Sequence, residues 1–264
     1  MVIGGGIVGL SAACRLAELH PDWRIAVIER SAFGDGGTTR NAGFACFGSP
    51  AELMEDRNTL GDSAALKLVA QRLQGLHRLR TWLGDSEIGY QACGSHALYP
   101  AGDEFMEPLA STAVEDLNQW LSSLTGLEKT FERGNCPNHR GLDRQRIVAA
   151  DWSPLEGAIH TGRMHRALLN RCSQLRIDVL RGLEVIHLEA GTPVRLKIQR
   201  VADEEGEARV LEVARCLLAT NAFAKELLPE TDARPATNEV IVSAPFLSGT
   251  LQGTYHLEAG YVYA

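Results

Sequence analysis

The chain has 264 residues, of which 45% are hydrophobic and 22% are charged, which is enough to bury one or two globular cores. Its formal net charge is −7 and its basic residues are scattered, so neither nucleic-acid binding nor attachment to an anionic membrane is predicted. The sequence contains no secretory-type leader and no apolar run of transmembrane length. The 6 cysteines and 8 histidines form no C-x-x-C or H-x-x-x-H pattern, which predicts reduced thiols, no protein-bound metal and a cytoplasmic location.

A glycine-rich turn follows the first short apolar stretch and leads into a Leu/Ala-rich helix. The turn reads Gly4-Gly5-Gly6-Ile7-Val8-Gly9. Gly4 permits a sharp turn, Gly6 lets the main chain approach phosphates, and Gly9 lets the helix pack close to the sheet. Amide groups at the helix start would then face a pyrophosphate.

An acidic residue ends the next predicted strand, which runs over Trp23–Ile28. Glu29 is placed to accept hydrogen bonds from both hydroxyls of an adenosine ribose, and its charge disfavours the 2′-phosphate of NADP. The pattern predicts a dinucleotide clamp; the alternative is a glycine-rich turn that binds nothing. Only Met1–Ile3 precede the glycines, although such strands usually have about five or six residues, so either a clipped strand or missing residues are expected.

Strands and helices alternate downstream, as in an α/β protein. In chain order, the hydrophobic periodicity first predicts a helix over Asp62–Leu83 with one buried stripe, a strand in Tyr90–Tyr99, a helix over Glu104–Leu124, and loops over Gly126–Arg146 with room for one short strand. A helix is then predicted to start from a Thr161 cap, with Met164, Leu168, Leu169 and Cys172 on one face. It is followed by a β stretch over Ile177–Leu188, a hairpin of Val194–Val201 with Ala208–Leu218, and strands over Glu239–Ser243 and Leu251–Tyr263.

The stretch Thr38-Thr39-Arg40-Asn41-Ala42-Gly43 follows a flexible Gly34–Gly37 turn. Here the chain resembles the D-amino acid oxidase/glycine oxidase family of FAD-dependent oxidoreductases. In that family the clamp is followed by Glu-Arg, here Glu29-Arg30, and then by a Gly-Ser/Thr-x-Arg/Asn-Ala-Gly stretch beneath the pyrophosphate and flavin. The resemblance continues through Asn41–Ser49, Pro154–Gly157, Thr161–Met164, Ala219–Phe223 and Gly253–Tyr263.

The resemblance implies an α/β fold with a Rossmann-like FAD-binding domain and a discontinuous α+β substrate domain built on an antiparallel sheet. Residues 1–86 and 161–222 would form the FAD-binding domain, and residues 87–160 and 223–264 the substrate domain. The chain is expected to be truncated at both ends, because the first strand is short and the closing glycine-rich segment of the family does not follow Ala264.

The cofactor implied by the resemblance is FAD. Thr38, Thr39 and Arg40 suit phosphate oxygens, and Ala42 and Gly43 are small enough to lie against the isoalloxazine. Arg40 could instead be a surface charge. The predicted cofactor residues are Gly4, Gly6, Ile7, Val8, Gly9, Glu29, Arg30, Thr38, Thr39, Arg40, Asn41, Ala42, Gly43, Val185, Ala219, Thr220 and Asn221.

Three of these residues carry more specific expectations. The backbone of Val185 is expected to pair with the adenine, although this residue could equally belong to a core strand. Asn41 occupies the stretch where some relatives carry a flavin-linked His, so non-covalent FAD is predicted. Ala219, at a strand end, is expected to line the dinucleotide.

The catalytic residues are left unassigned. In relatives that act on amino acids, an Arg beyond the position of Ala264 and a Tyr hold the substrate carboxylate. The candidates for a substrate wall are Tyr255, His256, Tyr261 and Tyr263, which could instead be packing residues.

The sequence therefore predicts an FAD-dependent oxidoreductase that oxidises a C–N bond of a small amine or amino acid to an imine. Oxygen or another electron acceptor would reoxidise the flavin. Two alternatives stay open: a catalytically silent fragment that retains only the clamp, and an NAD-dependent dehydrogenase, against which the Thr38–Gly43 stretch argues.

Overall fold

The structure is a computed structural model that describes residues 1–102, 111–135, 142–143, 145–203, 206–236, 244, 253–257 and 262–263. The chain divides into two compact units. The first comprises Met1–Asn41 with Thr161–Ile241, and the second comprises Ala42–His160 with Val242–Ala264. These units differ from the predicted domains in two segments, because residues 42–86 lie in the second unit and residues 223–241 in the first.

The described chain contains single helices between strands as well as runs of consecutive helices and consecutive strands. In order they are β1 (Val2–Ile3), α1 (Ile7–Leu19), β2 (Ala26–Glu29), β3 (Phe44–Ala45), α2 (Pro50–Leu60), α3 (Asp62–Leu83), α4 (Asp85–Ile88), β4 (Ser95–Pro100), α5 (Ser111–Thr125), β5 (Glu132–Gly134), β6 (Ile147–Ser153), β7 (Gly157–Ala158), α6 (Thr161–Gln174), β8 (Asp178–Arg181), β9 (Leu183–Glu189), β10 (Val194–Arg200), β11 (Arg209–Val213), β12 (Leu217–Leu218), α7 (Ala224–Leu227), β13 (Thr254–Leu257) and β14 (Val262–Tyr263). None of the helices in the described ranges is both long and apolar enough to cross a bilayer.

The first unit is built on a four-stranded parallel sheet in the order β12-β1-β2-β8. A three-stranded antiparallel sheet, β11-β10-β9, accompanies it. Ile3, Ile28, Val185 and Leu196 form the buried core that both sheets share. Parallel strands connected through α1 confirm the predicted Rossmann-like α/β fold.

Two predicted β stretches each divide between these sheets. The stretch predicted over Ile177–Leu188 breaks at Gly182, where a φ of +73° turns the chain from β8 into β9. The predicted second hairpin strand likewise separates into β11, which pairs with β10, and β12, which joins β1. Apolar character alone does not reveal such a change of sheet, because both sheets bury the same residue types.

The start of α6 also differs from its prediction. Thr161 is the first helical residue rather than the cap, and its hydroxyl donates to the Thr39 carbonyl at 3.2 Å. Of the predicted inner face, Met164, Leu168 and Cys172 are buried, whereas Leu169 is half-buried.

The second unit contains a five-stranded sheet in the order β14-β13-β4-β6-β5. Of the pairings described in it, β13 with β4 is parallel and the others are antiparallel, so the expected antiparallel sheet is mixed. Helices α2, α3 and α5 enclose a core that includes Phe47, Leu53 and Val69, which explains why residues 42–86 belong to this unit. The predicted strand over residues 239–243 and the helix residues Glu104 and Glu107 lie outside the described residues.

Helix α3 has the predicted bounds, Asp62–Leu83. Its predicted stripe is only partly buried, because Val69 is inaccessible while Leu66, Leu73, Leu76, Leu79 and Leu83 are half-buried. The first half of the helix therefore provides most of its contact with the core.

The close approach of α1 to the sheet gives a stability prediction. A Cβ on Gly9 would lie 1.9 Å from the Gly4 carbonyl oxygen, whereas a Cβ on Gly75, within α3, would meet no atom within 4 Å. Both Gly→Ala changes gain about 1 kcal/mol of helix propensity. We expect Gly75→Ala to stabilise by that amount and Gly9→Ala to destabilise by roughly 2 kcal/mol, because the clash opposes the gain.

Urea unfolding of the two variants and the wild type measures this difference. Equal free energies of unfolding for Gly9→Ala and Gly75→Ala would contradict the close approach of α1 to β1.

Candidate dinucleotide-binding site

The glycine turn lies where β1, β12 and α1 meet. Gly4 has a φ of +110° and donates its amide to Ile28 at 2.8 Å, while the Ala219 amide donates to Ile3 at 2.8 Å. A Cβ on Gly4 would lie 2.4 Å from the Ala219 carbonyl oxygen. Glycine is therefore required at this position, both for the left-handed backbone and for the space.

Helix α1 begins beside Thr38. Its cap is Gly6, so no side chain caps the helix, and its first turn contains no acidic residue. The Thr38 hydroxyl oxygen accepts the Ile7 amide at 2.9 Å. The positive end of the helix is thus lined by backbone amides and one hydroxyl, a combination that favours an anion.

The Glu29 carboxylate holds the other side of the turn. One of its oxygens accepts the Gly5 amide at 2.6 Å and the other accepts the Ser31 amide at 2.7 Å. These bonds fix the carboxylate at the end of β2, and an ionised carboxylate keeps further lone pairs for two ribose hydroxyls.

The loop between β2 and β3 is organised by its own side chains. The Thr39 hydroxyl donates to the Gly34 carbonyl at 2.6 Å, and the Asn41 amide donates to the Gly37 and Thr38 carbonyls at 2.9 Å. The Arg40 guanidinium is 70% exposed and lies 3.3 Å from Asp35. Of the predicted phosphate ligands in this loop, only Thr38 bonds to the start of α1.

Arg30 and Val185 are held by the protein itself. The Arg30 guanidinium lies 3.0 Å from Glu184, 3.4 Å from Glu226 and 4.4 Å above the Phe223 ring. The Val185 side chain is buried in the core, so only its backbone is left for the predicted adenine contact.

A buried hydroxyl next to the glycine turn is left unsatisfied. Among the described residues, the Thr220 hydroxyl has no hydrogen-bond partner, and it directly follows Ala219 at the turn. Asn221 then adopts a left-handed φ of +50°. A buried polar atom without a partner is costly, so this orphan hydroxyl and the glycine cradle both fit a bound dinucleotide.

The stretch predicted to face the flavin, Thr38–Gly43, crosses from the first unit into the second at Ala42. The predicted contact Ala42 is exposed, whereas Gly43 is buried, has a φ of +78° and accepts the Ile159 amide at 2.7 Å. Strand β3 then pairs with β7. This pairing holds the backbone that follows Gly43.

A buried carboxylate anchors the next residues. Glu156 is 1% exposed, and one of its oxygens accepts the Phe47 and Gly48 amides at 2.8 and 3.3 Å. The Ser95 hydroxyl donates to the other oxygen. Burial raises the pKa of the Glu156 carboxyl above its usual range.

Two of the substrate-wall candidates lie on opposite faces of β13. Tyr255 is 2% exposed and packs with Leu98 and Ile147 in a core cluster, which makes it a packing residue. His256 contacts the Phe44 ring edge-on, with 4.8 Å between centroids, and its Nε2 has no partner in the described ranges. Burial lowers the pKa of this imidazole.

The other two substrate-wall candidates have no described side chain. Tyr261 lies outside the described residues, and Tyr263 ends β14 with its side chain undescribed.

The described residues form no group of three or more side chains that could hold a metal ion. Cys14, Cys46, Cys93, Cys172 and Cys216 are free thiols, and the Sγ atoms of Cys14 and Cys172 are 3.5 Å apart.

Two buried residues that hold the backbone of these segments had no assigned role in the sequence. Glu156 stood in a family-like segment without a function, and His165, in α6, bonds to the glycine turn through the Gly5 carbonyl. The only available signal was a polar residue at an inward position, which does not identify its partner.

The Glu156 anchor predicts a pH effect on stability. Because the folded-state pKa is raised, the wild type gains stability below the ordinary glutamate pKa of about 4.3 and loses it as the pH rises through the folded-state value. Glu156→Gln keeps an acceptor for both amides and can donate to Ser95, but it does not titrate. We expect the free energy of unfolding of the wild type, relative to this variant, to fall as the pH rises above the ordinary glutamate pKa of about 4.3.

Denaturant titrations at several pH values measure this difference. Glu128→Gln, at an exposed position, is the matched control and should show no such trend. A flat difference for Glu156→Gln would contradict the raised pKa.

Comparison with known proteins identifies the family. The family model described as FAD dependent oxidoreductase (DAO) matches residues 1–263, whereas no curated protein sequence matches. Glycine oxidase from Bacillus cereus ATCC 14579 shares the fold at a TM-score of 0.64 and 16% identity, over 97% of this chain and 67% of that one. L-proline dehydrogenase from P. horikoshii matches at a TM-score of 0.59 and 16% identity, over 99% of this chain and 65% of that one. Glycine oxidase from Geobacillus kaustophilus matches at a TM-score of 0.55 and 18% identity, and the match covers 86% of this chain and 56% of that one. The chain belongs to the FAD-dependent oxidoreductase (DAO) family.

Proposed function

We propose that this chain provides the FAD clamp of an oxidoreductase that oxidises a C–N bond of a small amine or amino acid to an imine. The observation that carries the proposal is the assembly of Gly4, Gly9, Glu29, Thr38 and Ala219 around one helix start. The family membership supports FAD as the dinucleotide. The structural neighbours bear the names glycine oxidase, L-proline dehydrogenase and L-amino acid deaminase, which supports an amino acid substrate.

The described residues suggest how the cofactor would be held. The amides at the start of α1 would bind the pyrophosphate, the Thr38 hydroxyl would contact a phosphate oxygen, and Glu29 would accept the ribose hydroxyls. The backbone of Val185 would contact the adenine. Ala42 and Gly43 would leave room for the isoalloxazine. The binding is non-covalent in this proposal.

In the proposed reaction, the amine loses two electrons and two protons. Bound FAD supplies the acceptor for the two electrons and the proton that leave the C–H bond as a hydride equivalent. The amine nitrogen loses a second proton as the C=N bond forms, and water then hydrolyses the imine to a carbonyl compound. The protein mainly orients the substrate and excludes water from the reacting carbon.

His256 is the remaining described candidate for the substrate wall. Its unpartnered Nε2 and its contact with Phe44, close in sequence to Gly43, favour this position. A neutral imidazole, favoured by the lowered pKa, could accept a hydrogen bond from a substrate amine. No role is proposed for Tyr255.

The two alternatives are less well supported. A silent fragment is not favoured, because the family match extends over residues 1–263 and the glycine turn, Ala219 and Thr38 lie together at the start of α1. An NAD-dependent dehydrogenase is disfavoured by the match to an FAD-dependent family.

The free thiols of the described cysteines support the cytoplasm as the proposed compartment.

The role of Glu29 predicts a selective loss of affinity. Glu29→Ala should weaken FAD binding about tenfold or more, because two hydrogen bonds to the ribose are lost. FMN has no adenosine ribose, so its affinity should fall less than that of FAD, only by the part of the loss that comes from freeing the Gly5 and Ser31 amides. Quenching of flavin fluorescence measures both dissociation constants.

The exposed Glu128→Ala is the matched control and should bind FAD like the wild type. An equal loss of FMN and FAD affinity in Glu29→Ala would argue against the ribose contact.

Turnover is tested without assuming an electron acceptor. Under anaerobic conditions, a panel of glycine, L-proline and small primary amines is mixed with the FAD-loaded protein. We expect at least one member to remove the visible absorbance of the oxidised flavin, while free FAD with the same amines keeps it. Admission of oxygen and measurement of peroxide then distinguish an oxidase from a dehydrogenase. A loaded protein that keeps its colour with the whole panel would favour the silent fragment.

A further inference from the structure

One buried histidine joins two chain segments of the predicted clamp. His165 lies in α6 and is 7% exposed. Its Nε2 lies 3.0 Å from the Gly5 carbonyl oxygen. Because a carbonyl oxygen only accepts hydrogen bonds, Nε2 carries the proton and donates it.

The same ring packs against the loop that contains Thr38. A Cβ on Gly34 would lie 2.5 Å from Cε1 of His165, and Gly34 has a φ of +72°. The Gly34 amide donates to the Ser31 hydroxyl at 2.9 Å, and its carbonyl accepts the Thr39 hydroxyl at 2.6 Å. His165 therefore sets the position of the glycine turn relative to this loop.

The bond to Gly5 also sets the direction of the next amide. The Gly5 N–H is held by Glu29 and the Gly5 carbonyl by His165. In a planar trans peptide, the carbonyl of one residue and the N–H of the next point in opposite directions. The Gly6 N–H therefore points away from His165, and within the described ranges no protein acceptor is assigned to it.

We infer that His165 is a positioning residue for the dinucleotide: by holding the Gly5 carbonyl, it aims the Gly6 amide at the pyrophosphate. The inference rests on the proposed function, because it requires FAD at the glycine turn. The imidazole itself does not contact the ligand. Any ligand with a pyrophosphate attached to an adenosine, including ADP, should depend on this bond in the same way.

A matched pair of variants isolates the hydrogen bond. Gln and Met have similar lengths and similar helix propensities, but only Gln has an N–H donor. We expect His165→Gln to bind FAD and ADP within about threefold of the wild type and His165→Met to bind both about tenfold more weakly. Fluorescence quenching measures FAD binding and calorimetry measures ADP binding. Equal unfolding midpoints of the ligand-free variants would show that the difference is not one of stability.

The outcomes separate this inference from the proposed function. If the wild type binds FAD, and His165→Met binds both FAD and ADP as tightly as the wild type does, the inference is wrong and the proposed function stands. If the wild type binds neither ligand, the proposed function fails.

A second measurement applies if His165→Met does not fold. Long-range proton–nitrogen spectra of wild-type protein with ¹⁵N-labelled histidine report the ring tautomer, and His165→Gln assigns the signal. A proton on Nε2 is the expected result. A neutral ring protonated only on Nδ1 would overturn the inference.

Discussion

The close approach of α1 to the end of β1 is the constraint on which the first unit depends. A Cβ on Gly9 would lie 1.9 Å from the Gly4 carbonyl oxygen and 3.3 Å from the Ala219 Cβ. Any larger residue would push the helix away from the sheet. The position of the helix start, its exposed amides and the neighbouring Thr38 hydroxyl all follow from this contact, because each is attached to the first turn of α1.

Carboxylates and one imidazole hold backbone segments within each of the two units. Glu29 accepts two amides beside the glycine turn, and Glu156 accepts two amides and a hydroxyl in the second unit. His165 holds the Gly5 carbonyl. Hydrogen bonds to a charged acceptor are stronger than neutral ones, so a buried acid can fix a loop that has few apolar contacts. The cost of burial is visible in the raised pKa of Glu156.

The sheet of the second unit shows how the pleat separates neighbouring side chains. Tyr255 and His256 are adjacent in sequence, yet one packs into the core with Leu98 and the other contacts Phe44. Consecutive strand residues point to opposite faces. A pair of adjacent aromatic residues therefore cannot line one wall, and only His256 stays a candidate among the described side chains.

The sequence by itself determined the features that depend on local chemistry. The glycine spacing, the acid at the end of β2, the bounds of α3 and most of the inner face of α6 are readable from the sequence, because backbone freedom and hydrophobic periodicity act over a few residues. The resemblance in Thr38–Gly43 extended this to FAD. These local features predict both the α/β fold class, which the parallel sheet confirms, and the dinucleotide clamp.

Only the tertiary structure decided which groups meet across long stretches of chain. It paired His165 with Gly5, Glu156 with Phe47, and Arg30 with Glu184, and it divided the stretch around Gly182 between two sheets. These partners lie about 100 residues or more apart in sequence, so no local pattern encodes their meeting. Their contacts arise from the packing of α6, β7 and β9 against earlier elements, and that packing depends on the whole core rather than on any one segment.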